Sequence, residues 1–379
     1  MVDFAVSDEQ EELRRSVRRF LADKSPSTEV RRLMATDEGY DPAVWTQMAE
    51  QLGLPGLAIP EEYGGSGYSY VELAVVFEEA GAALACSPLF ATVGLAANAL
   101  LSSGDDAAMK EYLPQIAAGE RLFALAADEA PRHAPTHIAT RAEASGNGFR
   151  LNGTKGFVLD GAAADTLIVA ARTDGADDAA DGITLFLVDA KAAGVSVARR
   201  SMVDSRGCAR VTLADVQVDG ADVLGAVGGG WPLLERVLDT GRAALAAEML
   251  GVAHESFRRT VDYLKEREQF GAKIGSFQAL QHRAAHLFCE VELARSATLR
   301  ALVALDADEE RVPLFASLAK AKAGEVAKLA TNEGVQMHGG IGMTDDFDIG
   351  FFMKRARAAR ETFGDFAFHG DRLAGLMGY

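Results

Sequence analysis

No run approaching the roughly 18 apolar residues of a membrane-spanning helix occurs in this 379-residue chain, so no helical span is expected. Cysteine is scarce. Cys86, Cys208 and Cys289 are odd in number, far apart and without CxxC or Cys/His spacing, which argues against a disulfide framework and against zinc. They read as packed thiols in a reducing compartment. Basic residues are outnumbered, 38 against 55, for a formal net charge of -17. A basic face for nucleic acid or anionic lipid is therefore not expected, although a local pocket of arginine and helix N-termini can still hold an anion. The amino terminus mixes acids and bases and lacks the basic start and apolar middle of a secretory signal, so the chain is expected in the cytoplasm. Also missing are a Gly-x-Gly-x-x-Gly between strand and helix, a Gly-Lys-Ser/Thr loop and a Gly-x-Ser-x-Gly elbow. His133 and His137 have ligand-pair spacing, but Pro131 and Pro135 make that segment a loop, and no metal site is expected.

What is present is an ordinary globular balance, 49% hydrophobic and 25% charged, long enough for two or three domains. Ser7 and Gln10 have capping-box spacing, and Leu13, Val17, Phe20 and Leu21 follow on one helical face. Further helices fit Pro42 to Leu52 and Asp105 to Ala118, with a glycine loop at Gly64, Gly65 and Gly67 and an apolar stretch from Tyr70 to Leu84. Between Leu122 and Gly225 the period changes. Six short apolar runs alternate with turn residues, and Asn152-Gly153 signals a turn, which together suggest a barrel or sandwich. Asp174 to Asp181 reads as a solvated loop tip. From Trp231 the helical period returns, with Leu250, Ala253, Phe257, Val261 and Leu264 on one face. Long helices are predicted over Phe277 to Leu305, Pro313 to Gln336 and Phe351 to Leu376. The fold class is α+β: a helical domain over 1–120, a β-barrel domain over 121–225 and a helical bundle, predicted as four helices, over 226–379.

Two segments are poorly explained as plain turns. Arg267-Glu268-Gln269-Phe270-Gly271, followed by Phe277-Gln278, places an arginine at the end of a long helix, where its planar fork of donors suits a pyrophosphate. Taken alone it reads better as a charged surface turn. Gln336-Met337-His338-Gly339-Gly340-Ile341-Gly342 sets three glycines within four positions after a helix, which lets backbone approach a phosphate or ring closely.

Together these segments resemble the acyl-CoA dehydrogenase family. So do Leu52-Gly53-Leu54-Pro55-Gly56 through Glu61-Glu62-Tyr63-Gly64-Gly65 and the hairpin sequence Asn152-Gly153-Thr154-Lys155, so that the likeness covers almost the whole chain. The resemblance implies tightly bound FAD in a homotetramer or a heterotetramer with a related chain. It implies that Arg267, Phe270 and Gln278 grip the adenosine diphosphate from one subunit, while Gln336, Gly339 and Gly340 approach from a neighbour. Phe157 would lie along the flavin ring. The implied reaction removes the α-proton of an acyl-CoA with a carboxylate, passes hydride to flavin and hands electrons to an electron-transfer flavoprotein. Here the chain departs from the family. Phe363, in Thr362-Phe363-Gly364-Asp365, stands where most relatives carry the Glu base, and Gly241, before Arg242, stands where others carry it. Asp128-Glu129-Ala130 replaces the usual Thr-Glu-Pro, and the following Gly-Ser-Asp is not recognisable. Candidate bases are Asp365, two residues past the usual position, and Glu248, seven residues after Gly241 on the same helical face, with Arg242 in support. The alternatives are a non-catalytic subunit that completes the FAD site of a related dehydrogenase, and a flavin oxidase or monooxygenase on the same scaffold.

Overall fold

A computed structural model describes residues 7–379, and within them helices, one sheet and a second set of helices follow in order. The first helix begins where its cap is written: Ser7 and Gln10 exchange side-chain and backbone hydrogen bonds of 3.1 Å, closing the capping box. The helices of this region are α1 (Asp8–Lys24), α2 (Ser27–Leu33), α3 (Pro42–Leu52), α4 (Tyr70–Ala82), a π-helix (Phe90–Ala97), α5 (Asn98–Ser103) and α6 (Asp106–Ala117). The π-helix was not expected. Wide turns free carbonyls, and Asn98 answers two of them, donating to Val93 and Gly94 at 3.1 and 3.0 Å.

The middle strands are β1 (Phe123–Ala126), β2 (Arg141–Ser145), β3 (Gly148–Leu159), β4 (Thr166–Arg172), β5 (Ile183–Asp189), β6 (Val195–Arg199), β7 (Cys208–Asp219) and β8 (Val223–Leu224). They form one sheet in the order β6-β7-β3-β2-β4-β5-β8, with β1 parallel to β4. Alternation explains the continuous apolar runs. On β4, Leu167, Val169 and Ala171 join a core made by the sheet itself, while Ile168 and Ala170 face the core shared with the helices. Asn152-Gly153 makes no turn. It lies inside β3 at a register irregularity opposite β7, where an Asn-Gly pair suits a bulge as well as a turn. Asp174 to Asp181 is organised from beneath by buried Arg172, which donates to the carbonyls of Asp177, Ala179 and Asp181.

The last region is built on α7 (Trp231–Glu266), 36 residues and so about 54 Å long. A small hairpin of β9 (Glu268–Gln269) and β10 (Ala272–Lys273) follows, then α8 (Gln278–Asp306), α9 (Val312–His338), α10 (Ile349–Glu361) and α11 (Phe366–Leu376). Helix α7 crosses α4 without room for a methyl: a Cβ at Gly81 would lie 2.1 Å from the Glu248 carbonyl oxygen, and one at Gly251 1.9 Å from that of Glu78. The helix predicted over Phe351 to Leu376 is two helices. The chain breaks at Thr362–Asp365, where Phe363 and Gly364 take φ of +57° and +108° and Asp365 caps α11, accepting from Phe368 N at 2.8 Å. Among the described residues no helix is long and apolar enough to cross a membrane.

A buried ion cluster ties the three regions. Arg355 of α10 pairs with Asp204 and with Glu248 of α7, both at 2.9 Å, and donates to Ser205 Oγ at 2.7 Å. Arg206 takes the other Glu248 oxygen and lies over the Phe90 ring of the π-helix. Removing one partner from such a set leaves a buried charge uncompensated. Arg355→Met is therefore expected to cost about 3–5 kcal/mol in urea unfolding, and a loss below about 1 kcal/mol would show the cluster to be dispensable. Beside it, burial pushes the Asp160 carboxyl up to about 7 although Arg206 and Arg355 pull it down, and its Oδ2 has no partner. The folded-state value thus exceeds the unfolded one of about 3.9, so Asp160 holds a proton in the folded state. Its contribution is full below about pH 4 and is lost as the pH rises through about 7. Asp160→Asn, which tolerates the local φ of +51°, should flatten the fall of the thermal midpoint across that window; an unaltered slope would assign it elsewhere.

Candidate active site

The two positions at which the resemblance places a base meet at one point. Gly241 sits near the start of α7 and Phe363 in the α10–α11 turn, and a Cβ at Gly241 would lie 3.4 Å from Phe363 Cε2 and 2.5 Å from Leu95 Cδ2. The Phe363 ring is buried and stacks on Phe90, centroids 6.2 Å apart. Its left-handed backbone costs on the order of 1–3 kcal/mol unless the surroundings fix it. They do: Arg242 Nε donates to the Phe363 carbonyl at 3.2 Å, and buried Lys320 donates to the carbonyls of Gly364 and Arg360 at 2.9 and 3.0 Å. Neither position offers a carboxylate.

Arg242 does more than support this turn. Its Nη1 pairs with Asp239 at 2.8 Å, and its Nη2 lies 3.0 Å from His133 Nε2. A guanidinium only donates, so Nε2 is the acceptor and Nδ1 carries the proton that faces Asp128 Oδ1 at 3.0 Å. The His133 ring meets Phe363 and Phe368 edge-on, centroids 6.1 and 5.0 Å away. A line Asp239–Arg242–His133–Asp128 thus crosses from α7 to the loop after β1 and closes over the phenyl at the base position. Sequence reasoning missed His133 in this role, because its partner Arg242 lies 109 residues away. Burial and neighbouring cations push Lys320 down to about 7 and His369 down to about 2, so the ground behind Phe363 disfavours further positive charge.

The two candidate bases sit elsewhere in function. Glu248 must be corrected: both its oxygens are committed to Arg206 and Arg355, which outweigh burial and hold its pKa below the ordinary carboxylate value. A carboxylate so held is a poor proton acceptor. Asp365 spends one oxygen on its helix cap, and it lines a polar cleft of about 260 Å³ with His133, Glu361, Phe368 and Asp371. Among the described residues, no group of three His, Cys, Asp or Glu side chains is placed to hold a metal.

The residues expected to hold a dinucleotide divide into two places. Arg267, Phe270 and Gln278 are exposed at the end of α7 and the start of α8; Phe270 is 94% exposed on a left-handed backbone, and no ion pair among the described residues engages Arg267. Gln336, Gly339 and Gly340 are exposed at the end of α9, the two glycines with open space above them. These two stretches were expected on opposite sides of a subunit boundary. Within one chain the helix ends that carry them are neighbours: Tyr263, one turn before Arg267, stacks on His338 with centroids 4.3 Å apart, and His338 directly precedes Gly339. Unspent donors and open glycine backbone fit a nucleotide and its phosphates. Phe157 is different. It is half-buried and, with Leu159, Leu245 and Thr362, lines a small pocket away from both stretches. Leu245 and Glu266 are 21 residues apart on α7, about 32 Å along its axis.

Comparison with known proteins gives the same family throughout. Its N-terminal, middle and C-terminal domain models, described as those of acyl-CoA dehydrogenase, match residues 7–120, 124–220 and 228–375. The chain is 33% identical over 359 residues to acyl-CoA dehydrogenase IpdE2 of Mycolicibacterium smegmatis, covering 95% of this chain and 96% of that one. It is 32% identical over 360 residues to the mitochondrial isovaleryl-CoA dehydrogenase of Pongo abelii, covering 93% and 84%. Among solved structures, butyryl-CoA dehydrogenase from Megasphaera elsdenii superposes with a TM-score of 0.93 at 27% identity, over 99% of this chain and all of that one. A chain of the ChsE4-ChsE5 complex from Mycobacterium tuberculosis superposes with a TM-score of 0.90 at 25% identity, over the whole of both chains.

The packing at Gly241 is open to test. Gly241→Ala should lower the calorimetric midpoint by the equivalent of about 1–3 kcal/mol, because Leu95 must move to admit a methyl. An unchanged midpoint would mean that the contact yields freely and that a longer side chain could be restored there.

Proposed function

Because the chain belongs to the acyl-CoA dehydrogenase family over nearly its whole length, we propose that it serves FAD-dependent α,β-dehydrogenation of an acyl-CoA thioester as one chain of a hetero-oligomer. In this reading its helix ends, with Arg267, Phe270, Gln278, Gln336, Gly339 and Gly340, complete the nucleotide half of a flavin site whose ring half and base belong to a related chain. FAD, when bound there, supplies the hydride acceptor; electrons then pass to an electron-transfer flavoprotein and the product is a 2,3-enoyl-CoA. The observation that carries the proposal is the contact of Gly241 with Phe363: both usual base positions converge, and a phenyl ring fills the place. The hydrogen bond from Arg242 to His133 supports the same division of labour. So does the existence of a two-component relative, the ChsE4-ChsE5 complex, with the same fold. An independently active enzyme with Asp365 as base is the competing reading, favoured only by the position of Asp365 in the open cleft.

Anaerobic titration with acyl-CoAs of short, long, branched and aromatic type separates the two. The chain alone should give no flavin bleaching, and the chain purified with a related dehydrogenase should bleach. A flavin-replete, fully active homotetramer would defeat the proposal. In the two-chain assembly Arg267→Ala should weaken FAD retention about 10–100-fold in dialysis, the worth of one or two charge-assisted hydrogen bonds to phosphate. Undiminished flavin content in that variant would remove Arg267 from the site.

A further inference from the structure

The histidines with ligand-pair spacing in the loop after β1, His133 and His137, do not act together, because His133 is spent on Arg242 and Asp128. A second pair with the same spacing is placed differently. His282 and His286 lie on α8, and of the seven histidines only these two and His137 are exposed. Four residues along a helix bring two side chains onto one face, about 6 Å apart along the axis. Two histidines at that spacing on one helical face are an arrangement that holds zinc.

Neither ring is committed elsewhere. Among the described residues no ion pair or side-chain hydrogen bond engages His282, and His286 Nε2 lies 3.8 Å from Glu290 Oε1, too far for a hydrogen bond. The cations nearby are already neutralised: Arg283 pairs with Glu333 at 2.5 Å, and Lys322 of α9 pairs with Glu290 Oε2 at 2.6 Å. An incoming cation therefore meets no unpaired positive charge from these neighbours. A metal-bound imidazole gains from a carboxylate on its other ring nitrogen, and Lys322 holds Glu290 one turn from His286 for that part.

The donors select the ion. Mg²⁺ and Ca²⁺ are bound by oxygen, whereas neutral imidazole suits Zn²⁺, Cu²⁺ and Ni²⁺. Among the described residues no third His, Cys, Asp or Glu is placed to close the shell, so an ion held here keeps open positions. We propose that His282 and His286 chelate a divalent transition ion of the Zn²⁺ kind on the outer face of α8, with water completing its coordination. The site needs neither flavin nor base, so it stands or falls apart from the flavin reading.

The test takes the full chain as purified, with any partner chain it carries, stripped with EDTA and titrated with ZnCl2 by isothermal calorimetry. Saturable uptake of one Zn²⁺ per chain is expected, and acidification should release it, because protons compete for the imidazole nitrogens. His282→Gln and His286→Gln each remove one imidazole from an exposed position. Each should leave the thermal midpoint unchanged and weaken uptake at least about tenfold, since a chelate loses its second ligand. His137→Gln should leave uptake as it is. So should Cys289→Ser, which alters an exposed thiol three residues beyond His286. Absence of saturable uptake, uptake that survives loss of both imidazoles, or uptake abolished by His137→Gln or Cys289→Ser each overturns the proposal. A lowered midpoint in either imidazole variant would give the ring a structural role and counts against it equally.

Discussion

The interaction on which this molecule turns is the buried cluster of Glu248, Arg355, Asp204 and Arg206. Two cations and two anions are drawn from α7, α10 and the β6–β7 connection, and Arg206 reaches on to Phe90 of the π-helix. Desolvating four charges gains little net stability, and a set of apolar side chains of the same volume would hold the regions together as well. What the cluster adds is direction. Ion pairs of this length accept only one arrangement of the three regions, so the rotation of α7 about its axis is fixed at Glu248. Seven residues away, Gly241 is thereby presented to Leu95 and Phe363 with no room to spare.

That orientation has a consequence at the other end of the helix. On α7, Leu245, beside Phe157, and Glu266, beside Arg267, are about 32 Å apart along the axis. The same helix brings Tyr263 against His338, so the end of α7 and the end of α9 meet at one end of the bundle.

Much of this was legible in the residues and some was not. The capping box at Ser7 and Gln10, the switch of period at Leu122 and the return of helix at Trp231 rest on local chemistry, and local chemistry is what a sequence displays. The break at Thr362–Asp365 was missed although its signal was present, a Gly followed by a capping Asp, because apolar period continued across it. Asn152-Gly153 was overread as a turn, since the backbone freedom it signals serves a bulge equally. Glu248 lies where the helical period put it, but period fixes an angle and not a neighbour. Only the folded chain shows two arginines waiting there. Most hidden was His133, whose meaning depends on Arg242, 109 residues later, and on Phe363, far beyond that.

The closed state of the base position has the marks of a built arrangement rather than of decay. A carboxylate lost by simple deletion would leave a cavity, and cavities in a close-packed interior are penalised by about 24 cal/mol for each Å³ left unfilled. Here the two positions pack against one another. Glycine at 241 makes room, phenylalanine at 363 takes it, Phe90 stacks behind, and His133 is drawn across by Arg242 with its tautomer fixed by Asp128. Phe363 even keeps a left-handed backbone, which a phenylalanine adopts only under constraint, and two buried cations hold its turn by their carbonyl contacts. A site kept for proton abstraction would have no use for such a seal. Under the division of labour proposed above, a chain that contributes through the exposed residues around Arg267 and Gly339 gains from it a rigid bundle.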